Sequence, residues 1–265
     1  MIDDDLLVNE VRNLSGDIRK QRARCDRLLA TAEPIARKAR WAYSHFLSRT
    51  GRDPCVDPSF VQGYLHAWRD SVLCLANGPG HLKIDVPSDL HHTVLVGWHF
   101  PEHTALLHTA IETNTLVLVA RLQSWMLHLR ERNCLYSFGD GFSRALLRAL
   151  SAGRPIYAMM DFCYPNTRHL VTNFLSYPAL MPAGLLQLAS RYNYSLRLVS
   201  IRGRTIQCIA DIPVLGRCED EIATDLNLLL EVEILRRPER WLLWPSVDQR
   251  WINVDYGDPV NEQLR

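Results

Sequence analysis

The segment VLVGWHFPEHTALLHTAIE, residues 94–112, is the part of this chain whose residue types point most directly to chemistry. An apolar, β-branched run ends at Trp98, His99 follows, and a helix is expected to start near Pro101. In open α/β sheets ligands sit beyond the carboxyl ends of the strands, so His99 stands where reacting groups occur. A histidine there can take a proton from a hydroxyl near neutral pH. Free N–H groups at a helix start just past it would hold a developing oxyanion. A structural histidine at a strand–helix junction fits the position equally well.

Three acids are candidates to orient His99. Glu102 lies at the expected helix start, where its charge suits the helix dipole. Glu112 is two to three turns further on, and Asp161 follows another apolar run and can approach from a neighbouring strand. Glu102 is the favoured partner. A metal site is the rival use of the same residues, because His99, Glu102, His103, His108 and Glu112 crowd one segment. Zinc needs three or four converging ligands. The order H-F-P-E-H is not the H-E-x-x-H of zinc proteases, so metal is the minor reading. Ser143 lacks the final glycine of a nucleophile elbow. Cys163 has apolar neighbours and reads as core. Trp241, Trp244 and Trp251 either line an acyl channel or belong to the core.

The elements that must position these groups are legible from periodicity. Residues 4–49 read as helix, with Pro34 kinking or dividing it. Residues 50–58 read as loop and 59–75 as a second helix, ended by Asn77-Gly78-Pro79-Gly80. Short β-rich runs at 92–98, 115–120 and 154–162 alternate with helical stretches through 125–129 and 142–150. Residues 195–203 and 205–215 flank a Gly-centred turn and read as a hairpin. A last helix spans 219–236. Apolar strands alternating with helices predict an α/β fold, with a mostly parallel sheet flanked by helices and an N-terminal helical extension. The expected division is a helical segment, 1–80, packing on an α/β domain, 81–265.

Composition narrows the function. The 265 residues are 47% hydrophobic and 22% charged, ordinary for a packed core, and the formal net charge is +1. No whole-molecule field would draw the chain to nucleic acid, and none is expected as a partner. The charge is uneven, however. Between Gly16 and Arg40, Arg19, Lys20, Arg22, Arg24, Arg27, Arg37, Lys38 and Arg40 stand against Asp17, Asp26 and Glu33, and the stretch 19–40 is locally cationic, suited to an anionic membrane surface or to a solvated helix face. Cysteines 25, 55, 74, 134, 163, 208 and 218 are odd in number, scattered and without a C-x-x-C pair, which fits a reducing compartment. The start MIDDDLLVNE is not a signal peptide, and no run approaches the ~20 apolar residues of a membrane span. The expected location is the cytoplasm, with peripheral contact at the inner face of the cytoplasmic membrane as an extension.

Several segments also follow one another in a telling order over residues 90–252. His99-Phe100 ends the first strand, Arg121 follows TLVLVA, and Arg130-Glu131 comes next. ALLRALSAGRPIYAMMDF then carries Asp161 near its end, followed by NFLSYPALMPAGLLQLASRYNYSLRLVSIRG and LLLEVEILRRPERWLLW. In this order they resemble the late acyltransferases of lipid A biosynthesis, a branch of the lysophospholipid acyltransferase superfamily. The resemblance implies transfer of a fatty acyl group from an acyl-CoA or acyl-carrier-protein thioester to a hydroxyl or amine acceptor. It implies His99 as general base, Arg121, Arg130 and Asp161 as substrate contacts, and no cofactor beyond the donor. The chain departs from the family at four places. Thr104 stands where the family's dyad has its acid, which leaves Glu102 as the expected substitute, and Pro101-Glu102-His103 replaces Gly-Asn-Trp. Pro245-Ser246-Val247-Asp248-Gln249-Arg250 replaces a basic motif, and the N-terminal membrane span is missing. The alternative is a degenerate homologue that binds an acyl chain or a carrier protein without turnover.

Overall fold

The computed structural model describes residues 4–14, 17–78, 80, 82–110, 112–119, 126–127, 134–137, 142–163 and 167–252. The helices are α1 (Asp4–Asn13), α2 (Ile18–Leu29), α3 (Glu33–Arg49), α4 (Ser59–Asn77), α5 (Leu106–Thr109), α6 (Phe142–Ser151), α7 (Gly184–Arg191) and α8 (Glu219–Arg236). The strands are β1 (Lys83–Asp85), β2 (Thr93–Gly97), β3 (Leu116–Val119), β4 (Leu135–Ser137), β5 (Ile156–Met159), β6 (His169–Phe174), β7 (Tyr177–Pro182), β8 (Ser195–Arg202) and β9 (Thr205–Ile212).

Seven strands form one sheet in the order β4-β3-β5-β2-β8-β9-β1. All neighbours are parallel except β8 and β9, the expected hairpin, which turns at Gly203 (φ 62°). The fold is thus α/β with a mostly parallel sheet. The period-two alternation has a physical consequence here. Val94, Val96, Ile156, Ala158, Leu196 and Leu198 enter one buried cluster with α3, α6, α7 and α8. Leu95, Tyr157 and Val199 enter the opposite cluster with α1, α2 and the 105–110 segment. Helix α4 contributes to both clusters, Phe60 and Tyr64 to the first and Val72 and Cys74 to the second. A parallel sheet covered on both faces needs apolar residues at successive positions, which is why β2 reads as an unbroken apolar run.

Three differences from the periodicity reading have local causes. The long N-terminal helix is three helices, because Asp17 accepts hydrogen bonds from the Arg19 and Lys20 amides and caps a new start. Pro34 sits in the first turn of α3, where its missing N–H costs nothing. The helix expected from Pro101 is a five-residue 3-10 turn, Pro101–Ala105, followed only by α5. Thr109, Thr113 and Thr115 are β-branched, a poor composition for a longer helix.

The antiparallel β6–β7 pair is an element that periodicity did not suggest. Its two-residue turn, Leu175-Ser176, has both φ angles positive (51° and 63°) without a glycine or asparagine to announce it. Among the described residues no helix is long and apolar enough to cross a membrane.

Candidate active site

Strands β2 and β5 are parallel neighbours with Gly97 opposite Met159, so their carboxyl ends emerge side by side. The Met160 amide donates to the Gly97 carbonyl at 3.1 Å and holds the two exits together. His99 leaves one exit and Asp161 the other, and they meet. His99 Nδ1 lies 2.6 Å from Asp161 Oδ1, and the His99 backbone N–H donates to Asp161 Oδ2 at 2.8 Å. Trp241 Nε1 donates to the same Oδ2 at 2.9 Å. The Leu242 amide donates to the His99 carbonyl at 3.0 Å, and the Tyr64 hydroxyl donates to the Leu242 carbonyl at 2.6 Å. His99 is thus held on both sides of its backbone and through its ring.

Asp161 is fully buried, whereas the His99 side chain is 29% exposed. Burial works to raise the Asp161 carboxyl. The His99 charge and the hydrogen bonds from His99 and Trp241 outweigh it and hold the carboxyl below its usual range. An ionised carboxylate only accepts hydrogen bonds, so His99 Nδ1 is the donor, and in the neutral form of the ring the lone pair lies on Nε2. A partly exposed imidazole with a free Nε2, fixed from behind by a buried anion, is the arrangement of a general base.

The favoured partner, Glu102, is placed elsewhere. Its Oε1 accepts from Arg237 Nη1 at 3.1 Å and lies 2.6 Å from Arg240 Nη2. Burial raises its carboxyl, but Arg240 and Arg237 outweigh that and hold it low. Glu102 is therefore a member of an ion cluster, and Asp161 takes the position beside His99. The physical reason is topological. Glu102 is bound to its own turn, whereas the adjacency of β2 and β5 delivers Asp161. The role expected of Asp161 as a substrate contact also changes, since its two oxygens are occupied by His99 and Trp241.

Thr104 is buried, and its hydroxyl donates to the Pro101 carbonyl at 2.6 Å. Glu112 is exposed on a turn. Arg121 and Arg130 lie outside the described residues. Around the turn where an oxyanion pocket is expected, two backbone amides are already engaged. Pro101 has no N–H, and the Phe100 and His103 amides donate to Trp98 and Phe100 carbonyls.

His103 is fully buried and accepts the Trp98 amide at Nδ1, 2.8 Å away. Burial pushes it down to about 4, against the pull of Glu102. Among the described residues no group of three or more His, Cys, Asp or Glu side chains is placed to hold a metal ion. Ser143 lies in α6. Cys163 is buried, and burial pushes its thiol up to about 11. Trp241, Trp244 and Trp251 are all core residues. In the cationic N-terminal stretch, Lys20, Arg24, Arg37 and Lys38 pair with Asp17, Glu10, Glu33 and Asp248. Arg19, Arg22 and Arg27 remain exposed on α2.

Reasoning from the sequence missed Trp241 as a donor to Asp161, and Arg237 and Arg240 as partners of Glu102. The signal available for both was the RPERW sequence, residues 237–241, directly after α8, whose polar groups must reach acceptors if buried. Fold and site together define an α/β protein that carries a histidine–aspartate dyad at the carboxyl ends of adjacent parallel strands. No family model and no curated protein matches the chain.

Proposed function

We propose that the chain is an acyltransferase that moves a fatty acyl group from an acyl-CoA or acyl-carrier-protein thioester to a hydroxyl or amine acceptor. His99 is the general base, and Asp161 is the acid that orients it. The observation that carries this reading is the 2.6 Å contact between His99 Nδ1 and a fully buried Asp161. His99 Nε2 removes the acceptor proton while the acceptor's oxygen or nitrogen forms a bond to the thioester carbonyl carbon. The tetrahedral intermediate collapses, the C–S bond breaks, and the imidazolium returns its proton to the departing thiolate. Asp161 stabilises the imidazolium between these steps. The order of segments over 90–252, which resembles that of the late acyltransferases of lipid A biosynthesis, supports the same chemistry.

The exposed Arg19, Arg22 and Arg27 support a peripheral location, with α2 against anionic headgroups at the inner face of the cytoplasmic membrane. Membrane flotation with anionic and neutral vesicles tests that placement. A binding or scaffold protein without turnover is the second reading. Thr104 favours it, because an uncharged hydroxyl bonded to Pro101 stands where the resembled family has an acid.

Thioester consumption across a panel of acyl-CoA and acyl-carrier donors separates the two, with wild type compared to His99→Ala. Turnover in wild type that falls by about a thousandfold in His99→Ala supports the enzyme. Equal silence in both, with acyl carrier bound by folded protein, supports the binding role.

A further inference from the structure

Beside the dyad lies a polar cluster that the proposed chemistry does not use. Glu102 Oε1 is shared by Arg237 Nη1 at 3.1 Å and Arg240 Nη2 at 2.6 Å. Arg240 also donates to Asp70 at 3.0 Å, and the Arg237 guanidinium lies over the Phe100 ring, 5.2 Å from its centroid. Donors then outnumber acceptors. Arg237 Nε and Nη2, Arg240 Nε and His103 Nε2 are buried without a hydrogen-bond partner, and Glu102 Oε2 is the one acceptor of the cluster in the same condition. His103 Nε2 counts as a donor, because Nδ1 accepts the Trp98 amide and the neutral ring carries its hydrogen on the other nitrogen. Buried N–H groups left unpaired are costly, and guanidinium N–H groups left without an acceptor bind oxyanions strongly and directionally.

We propose that Arg237 and Arg240 form a binding site for an oxyanion, a phosphate or carboxylate group, in which Glu102 is an internal placeholder for the ligand. The exposures give the direction of entry. The Arg237 and Arg240 side chains are 19% and 21% exposed, while Glu102 is 9% exposed, so an incoming anion meets the guanidinium groups first. It displaces Glu102 from one or both arginines and fills donors that a single carboxylate oxygen leaves unmet. Phe100, under Arg237, is the residue after His99. A substrate that presents its reacting group to His99 therefore places an anionic group here. That last step rests on the acyl-transfer reading, whereas the anion site itself does not.

The test is calorimetric titration of the full chain with inorganic phosphate and, separately, with acetate, at constant ionic strength held by chloride. Wild type, Arg237→Gln, Arg240→Gln and Glu102→Gln are compared, with circular dichroism confirming the fold of each. At least one anion binds wild type, and whichever binds more tightly identifies the group. Arg237→Gln and Arg240→Gln each weaken binding by about tenfold or more, and Glu102→Gln tightens it by about tenfold because the placeholder is gone. If Glu102→Gln folds poorly, the reading moves to its thermal midpoint, which rises on addition of the anion. The proposal is overturned if neither anion binds wild type or Glu102→Gln, if Glu102→Gln binds no more tightly than wild type, or if the arginine variants bind as wild type does. A chain that binds anion but consumes no thioester keeps this site and loses the acyl-transfer reading. A chain that consumes thioester but binds neither anion does the reverse.

Discussion

Gly97 is the residue at which the sheet and the site constrain each other most tightly, and Gly97→Ala measures that constraint. A Cβ added there would sit 2.5 Å from the Tyr157 hydroxyl oxygen and 2.8 Å and 3.0 Å from two carbons of its ring. Tyr157 is buried on the adjacent strand β5, and its hydroxyl donates to the His103 carbonyl at 3.0 Å. Neither the backbone of β2 nor the ring can yield without disturbing that bond. Overpacking of this kind costs about 1–3 kcal/mol, and loss of the buried hydrogen bond adds about 1 kcal/mol. Gly97→Ala is therefore expected to lower stability by about 3 kcal/mol in urea denaturation at neutral pH, with an unchanged slope. Tyr157→Phe removes the closest contact and the hydrogen bond together. Alone it costs about 1–2 kcal/mol, since the His103 carbonyl loses its donor. In the Gly97→Ala background it removes a clash as well, so the double variant should be at least about 1 kcal/mol more stable than the sum of the single effects. Additivity of the two within about 0.5 kcal/mol would refute the packing argument.

Three further outcomes follow from the same contacts. His103 takes its proton near pH 4 when folded, against 6.5 for the free side chain, so the unfolded chain binds more protons between these values. Stability is then full above about pH 6.5 and falls as pH drops through about 4, by about 3 kcal/mol in all. His103→Asn, which keeps an acceptor for the Trp98 amide, should flatten this window when urea midpoints are compared at pH 7, 5.5 and 4.5. Glu102→Gln leaves two half-buried guanidinium groups facing a neutral amide, and the expected loss is about 3 kcal/mol in the same assay. A loss below about 1 kcal/mol would mean that the cluster is solvated rather than buried. Trp241→Phe removes one of the two donors on Asp161 Oδ2 and should slow thioester turnover by about tenfold, with donor KM nearly unchanged. An equal rise in KM without a fall in kcat would place Trp241 in substrate binding instead.

Much of the fold was legible because β2 and β5 are buried on both faces and write themselves as short apolar runs between helices. The β8–β9 turn at Gly203 and the 219–236 helix were readable for equally local reasons. What escaped had no local signal. β1 and β4 are three residues each, and the β6–β7 turn places Leu175 and Ser176 at positive φ without a glycine. The site divides along the same line. His99 was found from its place after a strand, but the choice of acid depends on which strands are neighbours. Nothing near His99 in the chain reports that β5 lies against β2. Glu102 was favoured because it is close in sequence, yet closeness within one turn is outweighed by two arginines arriving from beyond α8.

The most direct test of the dyad is nitrogen-resolved NMR of the histidine rings at neutral pH, on wild type, Asp161→Asn and Glu102→Gln. His99 is expected to be protonated at Nδ1, with a downfield proton that exchanges slowly. That proton should be lost in Asp161→Asn and retained in Glu102→Gln. A His99 protonated at Nε2 in wild type, or an Nδ1 proton that survives Asp161→Asn and vanishes in Glu102→Gln, would contradict it.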